Sequence, residues 1–135
     1  LSQGDQGVYL EQAAFVLDGV PDPRVLGAAW QHVVDATPVL RSRIAWGEVA
    51  EPLQVVQREA RVPITYLDWS HLSETGRPEE LRLLRARDRA EAMNLATAPL
   101  MRLTLARLSA TEVQVVWTFH HVLLDGWSLF QVLTD

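Results

Sequence analysis

From Glu112 to His121 the chain reads as a strand, alternating with a period of two from Val113 on. Val113, Val115, Trp117, Phe119 and His121 share one parity; Gln114, Thr118 and His120 share the other. That pattern fits a strand, whose successive side chains leave opposite faces of a sheet. Met101 to Leu108 reads as a second strand, so that these two pair around Ser109-Ala110-Thr111. If the later strand holds to its end, His120 and His121 point to opposite faces and cannot do the same job.

The remaining segments supply layers around this pair. Residues 1–10 are expected to form a short helix, against the cost of two glycines. Ala14-Phe15-Val16-Leu17 reads as a buried strand stopped by Asp18-Gly19. Asp22 is placed as an N-cap and Pro23 as the first helical residue. Leu26, Ala29, Trp30 and Val33 then form one apolar helical stripe, and Thr37-Pro38 ends the helix. Strands are predicted over Leu40 to Trp46 and Leu53 to Gln57, with Gly47 in the turn region, and from about Ile64 to Trp69.

Residues 70–78 read as a loop. Pro78 opens the longest helix, with Glu79 and Glu80 against its N-terminal dipole and Leu83, Ala86, Ala90 and Met93 as its buried stripe. Arg82, Arg85, Arg87 and Arg89, interleaved with Asp88 and Glu91, read as a solvated face rather than an anion-binding surface. Trp127 to Leu133 starts a last helix. The order of elements gives an α/β layer, a mixed or antiparallel sheet flanked by helices, without the regular rhythm of a doubly wound fold.

Composition narrows the function classes. The 135 residues fit one domain or subdomain, and 48 % hydrophobic with 21 % charged residues is ordinary for a soluble globular chain. A net charge of −5 argues against nucleic acid as the main partner. No apolar run approaches the roughly 20 residues that span a bilayer, so no membrane partner is expected. No secretory signal pattern is present, although both ends look cut. Cysteine is absent, which fits the cytoplasm and removes disulfides and thiolate metal sites. All 12 basic residues are arginine, so Schiff-base or P-loop lysine chemistry is impossible here.

The chemistry concentrates in His120-His121-Val122-Leu123-Leu124-Asp125-Gly126-Trp127-Ser128. Histidine alone has an unperturbed pKa that changes its charge between pH 5 and 8, so a pair at a strand end with a carboxylate nearby suits proton handling. Spacing alone leaves several readings open. The histidines could cap the strand while Asp125 caps the following helix. A metal site would use His120, His121 or Asp125 as ligands, but no third strong ligand lies nearby, and His32 and His71 sit in unrelated contexts; no metal is expected. Ser128, His121 and Asp125 could form a hydrolytic triad, yet Ser128 lacks the G-x-S-x-G elbow. The fourth reading is an acyltransferase histidine.

These residues resemble the HHxxxDG motif of the condensation domains of non-ribosomal peptide synthetases, including the trailing Trp127-Ser128. The resemblance extends along the chain. Leu1-Ser2 with Gln6-Gly7 resembles the family's opening motif, with Gln3 and Asp5 where Pro and Gln are commoner. Leu40-Arg41-Ser42-Arg43-Ile44 resembles its second motif, RHxxLRTxF, with Ala36 and Thr37 replacing Arg-His and Ile44 replacing Phe. Ala98-Pro99-Leu100-Met101-Arg102 resembles the lead-in to the third. Cyclisation domains carry DxxxxD in place of the histidines, and epimerisation domains typically continue with a Val-Ser-Trp type sequence.

The resemblance implies a chloramphenicol-acetyltransferase-like N-terminal lobe over residues 1–135, with the C-terminal lobe absent and the isolated fragment folded but weak or dead in catalysis. It implies an amide-forming acyltransferase that joins aminoacyl or peptidyl thioesters held on upstream and downstream peptidyl carrier proteins. The phosphopantetheine arm belongs to those carriers, so no directly bound cofactor is expected, and an adenylation domain would adjoin, in a bacterial cytoplasm. By the same resemblance, His121 is the functional histidine, His120 helps to hold the loop, and Gly126 lets backbone approach the substrate tunnel. Asp125 would be a structural carboxylate paired with Arg41, or with Arg43 as second choice. Trp127 and Ser128 are further candidates at the site. Two alternatives follow: a carrier-protein interaction module without chemistry, and an epimerisation domain of the same superfamily. The wording of "QGVYLEQ" and "HHVLLDGWS" leans toward a D-configured donor.

Overall fold

Alternating and β-branched segments assemble into a mixed sheet in the computed structural model, which describes residues 10–46 and 52–123. Six strands are present among these residues: β1 Leu10–Leu17, β2 Ser42–Trp46, β3 Pro52–Val56, β4 Ile64–Asp68, β5 Met101–Arg107 and β6 Val113–His120. The main sheet runs β1-β6-β5-β4, and β2 and β3 form a separate antiparallel hairpin. β1 and β5 flank β6 antiparallel, while β4 lies parallel to β5. A parallel pair needs a long crossover, and helix α2, Arg77–Ala90, lies within the one joining β4 to β5. The expected mixed sheet with flanking helices is therefore present.

Helix α1, Pro23–Ala36, starts where its cap predicts. The Asp22 side chain accepts the Arg24 amide at 3.0 Å, and the residue before Pro38 is extended, which stops the helix. Its packed face is turned from the predicted stripe. Leu26 and Trp30 do face the core with Val34, but Val33 is 48 % exposed and Ala29 is exposed too. Gly27 sits on the packed face, in close approach to β4. A Cβ there would lie 2.1 Å from the Tyr66 hydroxyl, so a bare backbone lets α1 settle onto β4.

The second helix corrects the sequence reading more sharply. It begins at Arg77, and Leu81, Leu84 and Asp88 face inward, whereas Leu83, Ala86 and Ala90 are exposed. Met93 is buried but lies beyond the helix. The reason is a polar network. Asp88 receives Arg102 Nε at 2.8 Å and Gln12 Nε2 at 2.9 Å, and the Thr118 hydroxyl donates to it as well. Burial alone would raise the Asp88 carboxyl, but these donors and the Arg102 charge together bring it below its ordinary value. Of the four arginines, Arg82 pairs with Glu79 in solvent, while Arg85 turns in to donate to Gln12 Oε1 at 2.7 Å.

Both faces of the central strands are covered. On one, Leu103, Leu105, Val113, Val115 and Phe119 pack with α1; on the other, Ala106 and Leu108 pack with Trp69, Leu81 and Leu84. Hence Gln114 and Thr118, on the opposite parity of β6 from Val113 and Val115, are buried and hydrogen-bonded. Two strand boundaries also move. β1 begins at Leu10 rather than Ala14, and Leu40-Arg41 belong to a 3₁₀ turn over Pro38–Arg41, so β2 starts at Ser42. The expected first and last helices and the Gly47 turn lie outside the described residues, apart from Leu10, which is in β1.

Candidate functional site

The end of β6 is fixed from two directions. The His120 amide donates to Leu100 O at 2.9 Å, so the Ala98-Pro99-Leu100 segment, which carries a cis peptide bond before Pro99, tethers the strand terminus. The strand stops at His120, and His121 to Leu123 turn into helical backbone. The two histidines thus part company by a change of backbone and not only by strand parity.

His120 is buried, at 6 % exposure, and its Nδ1 accepts the Val122 amide at 3.1 Å. An accepting Nδ1 carries no proton, so the neutral ring holds its hydrogen on Nε2. Burial, and then the neighbouring His121, push its pKa below 6.5 and keep it neutral. His121 lies half exposed, with its Nδ1 3.0 Å from Oε1 of Glu11. The sheet register explains that meeting. Glu11 stands opposite Phe119, which makes His121 its diagonal neighbour on the same face. The next residue, Gln12, opposes Thr118 and reaches through the other face to Asp88.

Arg41 is held at the foot of α1. Its Nη1 donates to Val34 O at 2.9 Å and Asp35 O at 2.7 Å, and its Nε donates to Gln57 O at 2.9 Å. A guanidinium on the last carbonyls of a helix complements the negative end of its dipole. The arginine therefore ties α1 to the exit of β3. Its expected partner Asp125, with Gly126, Trp127 and Ser128, lies outside the described residues.

Glu11 is the residue that sequence reasoning missed. Only the β1–β6 register brings it to His121, across 110 residues of chain, and no local spacing carries that signal. Between α1 and the sheet, Trp30, Val33, Leu40, Met101, Trp117 and Phe119 line an apolar groove of about 410 Å³. None of these side chains titrates. Among the described residues no three His, Cys, Asp or Glu side chains are grouped to hold a metal. No helix among them is long and apolar enough to cross a membrane.

A mixed sheet covered by a helix on each face, with a histidine pair at the end of a central strand, has the architecture of chloramphenicol-acetyltransferase-like lobes. The first condensation domain of the calcium-dependent antibiotic synthetase has this fold, with a TM-score of 0.74 and 22 % identity over 88 % of this chain and 28 % of that one. The starter condensation domain of rhizomide synthetase matches with a TM-score of 0.70 and 23 % identity, over 88 % of this chain and 29 % of that one.

The chain belongs to the condensation-domain family, whose model matches residues 1–135. It is 40 % identical over 135 residues to one of the proteins that make up the linear gramicidin synthase of Brevibacillus parabrevis, covering 100 % of this chain and 2 % of that protein. It is 40 % identical over 132 residues to chondramide synthase cmdD of Chondromyces crocatus, covering 96 % of this chain and 3 % of that protein. The chain thus spans a few per cent of the length of these relatives.

Proposed function

We propose that this chain is the N-terminal lobe of a condensation domain that forms peptide bonds between thioesters carried on peptidyl carrier proteins, and that His121 handles the proton of that reaction. One observation carries the reading: in a chain matched throughout by the condensation-domain family, the second histidine of HHxxxDG is half exposed while the first is buried.

The chemistry needs such a group. An α-amine has a reference pKa of about 7.7–8.0, so near neutrality much of it is protonated and inert. The free amine attacks the donor thioester carbonyl; the C–N bond forms, the C–S bond breaks and the carrier's thiolate leaves. Nitrogen must lose a proton as it becomes cationic. A neutral His121 accepts that proton and can return it to the leaving thiolate, or holds the amine in line for attack; a positioned base supplies about 10²–10⁴-fold. His120 shapes the turn by accepting the Val122 amide. Asp125 completes the loop through Arg41, and Gly126 admits the substrate backbone. Trp127 and Ser128 are further candidates at the same site.

On this reading the phosphopantetheine arms arrive with the upstream and downstream carriers, an adenylation domain adjoins, and the assembly works in a bacterial cytoplasm. A second lobe supplies the other wall of the channel, so residues 1–135 alone fold but turn over poorly. The test is His121→Ala in the full-length parent. Dipeptide formation on loaded carriers should fall by about 10²–10⁴-fold. Unchanged product would discard the catalytic reading in favour of a carrier-binding module. In the unmutated parent, exchange of the α-proton of a carrier-bound aminoacyl group without condensation would favour epimerisation.

A further inference from the structure

We propose that Glu11 is the positioning residue of His121, holding one ring nitrogen protonated so that the other is the ring's acceptor toward the substrate amine; this deepens the reading of His121 given above and rests on it. Oε1 of Glu11 lies 3.0 Å from Nδ1 of His121. An ionised carboxylate only accepts hydrogen bonds, so it selects the tautomer with hydrogen on Nδ1. The Nε2 lone pair is then the ring's acceptor, the arrangement opposite to that of His120, whose Nδ1 accepts the Val122 amide. When the amine proton reaches Nε2 the ring becomes cationic, and the adjacent carboxylate stabilises that charge without itself taking the proton.

The strand is built to deliver Glu11. β1 pairs with β6 along its whole length, Leu10 opposite His120 and Leu17 opposite Val113. Gln12, the neighbour of Glu11, is pinned beneath the sheet by Asp88 and Arg85. Consecutive residues of β1 thus do different work on the two faces: Gln12 anchors the strand and Glu11 meets the histidine. Glu11 and His121 are each 47 % exposed. Exposed pairs of this kind add little to stability, so removing the carboxylate leaves the fold intact. A contact of small structural value, aimed at the one histidine assigned to chemistry, is explained by its effect on the ring.

The test uses the full-length parent with loaded carriers and four proteins: wild type, Glu11→Gln, Glu11→Ala and His121→Ala, with thermal melting to establish that each folds. Both Glu11 variants should lower kcat by at least about tenfold, while KM for the carriers stays within about twofold, because the ring loses its preferred tautomer and not its binding surface. Nitrogen-15 spectra of His121 should move from the Nδ1–H form toward a mixture. Glu11→Ala added to His121→Ala should cost nothing further. If His121→Ala leaves product unchanged, the proton-handling reading itself fails. If His121→Ala abolishes product while both folded Glu11 variants keep wild-type kcat, or leave the His121 tautomer unaltered, the positioning role fails and the assignment of His121 stands. A Glu11→Ala variant that does not fold leaves the decision to Glu11→Gln, which is nearly isosteric.

Discussion

His120 and His121 are adjacent in sequence and opposite in use: Nδ1 of the first accepts the Val122 amide, and Nδ1 of the second faces the carboxylate of Glu11. With Glu11 in its proposed role, the two rings carry hydrogen on different nitrogens. Long-range nitrogen-15 correlation spectra should show His120 as the Nε2–H tautomer and His121 as the Nδ1–H tautomer. His120 should also stay neutral to a pH below 6.5, because burial and then its neighbour lower its pKa. The sign for stability follows. The unfolded chain takes up this proton first, so the contribution is complete above pH 6.5 and is lost as pH falls through the folded-state value. A His120 that titrates together with an exposed histidine would contradict its burial.

Arg41 predicts a different effect. Its bonds reach carbonyls of Val34, Asp35 and Gln57, which one ammonium cannot span as a guanidinium fork does. Arg41→Lys should destabilise the lobe by about 1–3 kcal/mol. Urea unfolding measures it. Combined with Asp125→Asn, the cycle should show a coupling of about 0.5–3 kcal/mol if the proposed Asp125–Arg41 contact forms. Additive losses would leave Arg41 as a helix clamp alone.

Which parts of this architecture can be read from the chain is a matter of locality. The Asp22-Pro23 cap, the Thr37-Pro38 stop and the paired strands β5 and β6 are written in short-range signals, and each stands where the sequence puts it within a few residues. Helix faces are not local. The apolar residues of α2 point to one stripe, yet Arg102, Gln12 and Thr118 converge from three strands to receive Asp88, and that demand turns Leu83 and Ala86 outward. In α1, Gly27 lets the Tyr66 hydroxyl come close, which no periodicity reveals.

The site divides the same way. A histidine pair at a strand end is legible in the sequence, as is the different placement of the two rings, to which the backbone turn after His120 adds beyond strand parity. Glu11 is not legible, because a polar residue at the start of β1 looks like the end of a preceding segment. Only an antiparallel register with β6 makes it a neighbour of His121.

The Asp88–Arg102 pair yields the last prediction. Asp88 is 9 % exposed and Arg102 16 %, with the carboxyl below its ordinary value despite burial. Removing one partner strands the other, so Asp88→Asn or Arg102→Leu should each cost about 3–5 kcal/mol. Replacing both by leucine should cost less than either single change, since no buried charge is then left uncompensated. The pH dependence separates this pair from simple packing. A carboxyl whose folded value is lowered stabilises the fold above its unfolded value, near 3.8, and loses that contribution as pH falls through the lowered one. Wild type should therefore lose stability in that acid window, and Asp88→Asn should not show that component of the loss. Melting curves between pH 2 and 6 decide it. A variant with the same acid slope as wild type would mean that other carboxylates control acid unfolding and that Asp88 is not coupled to Arg102 in solution.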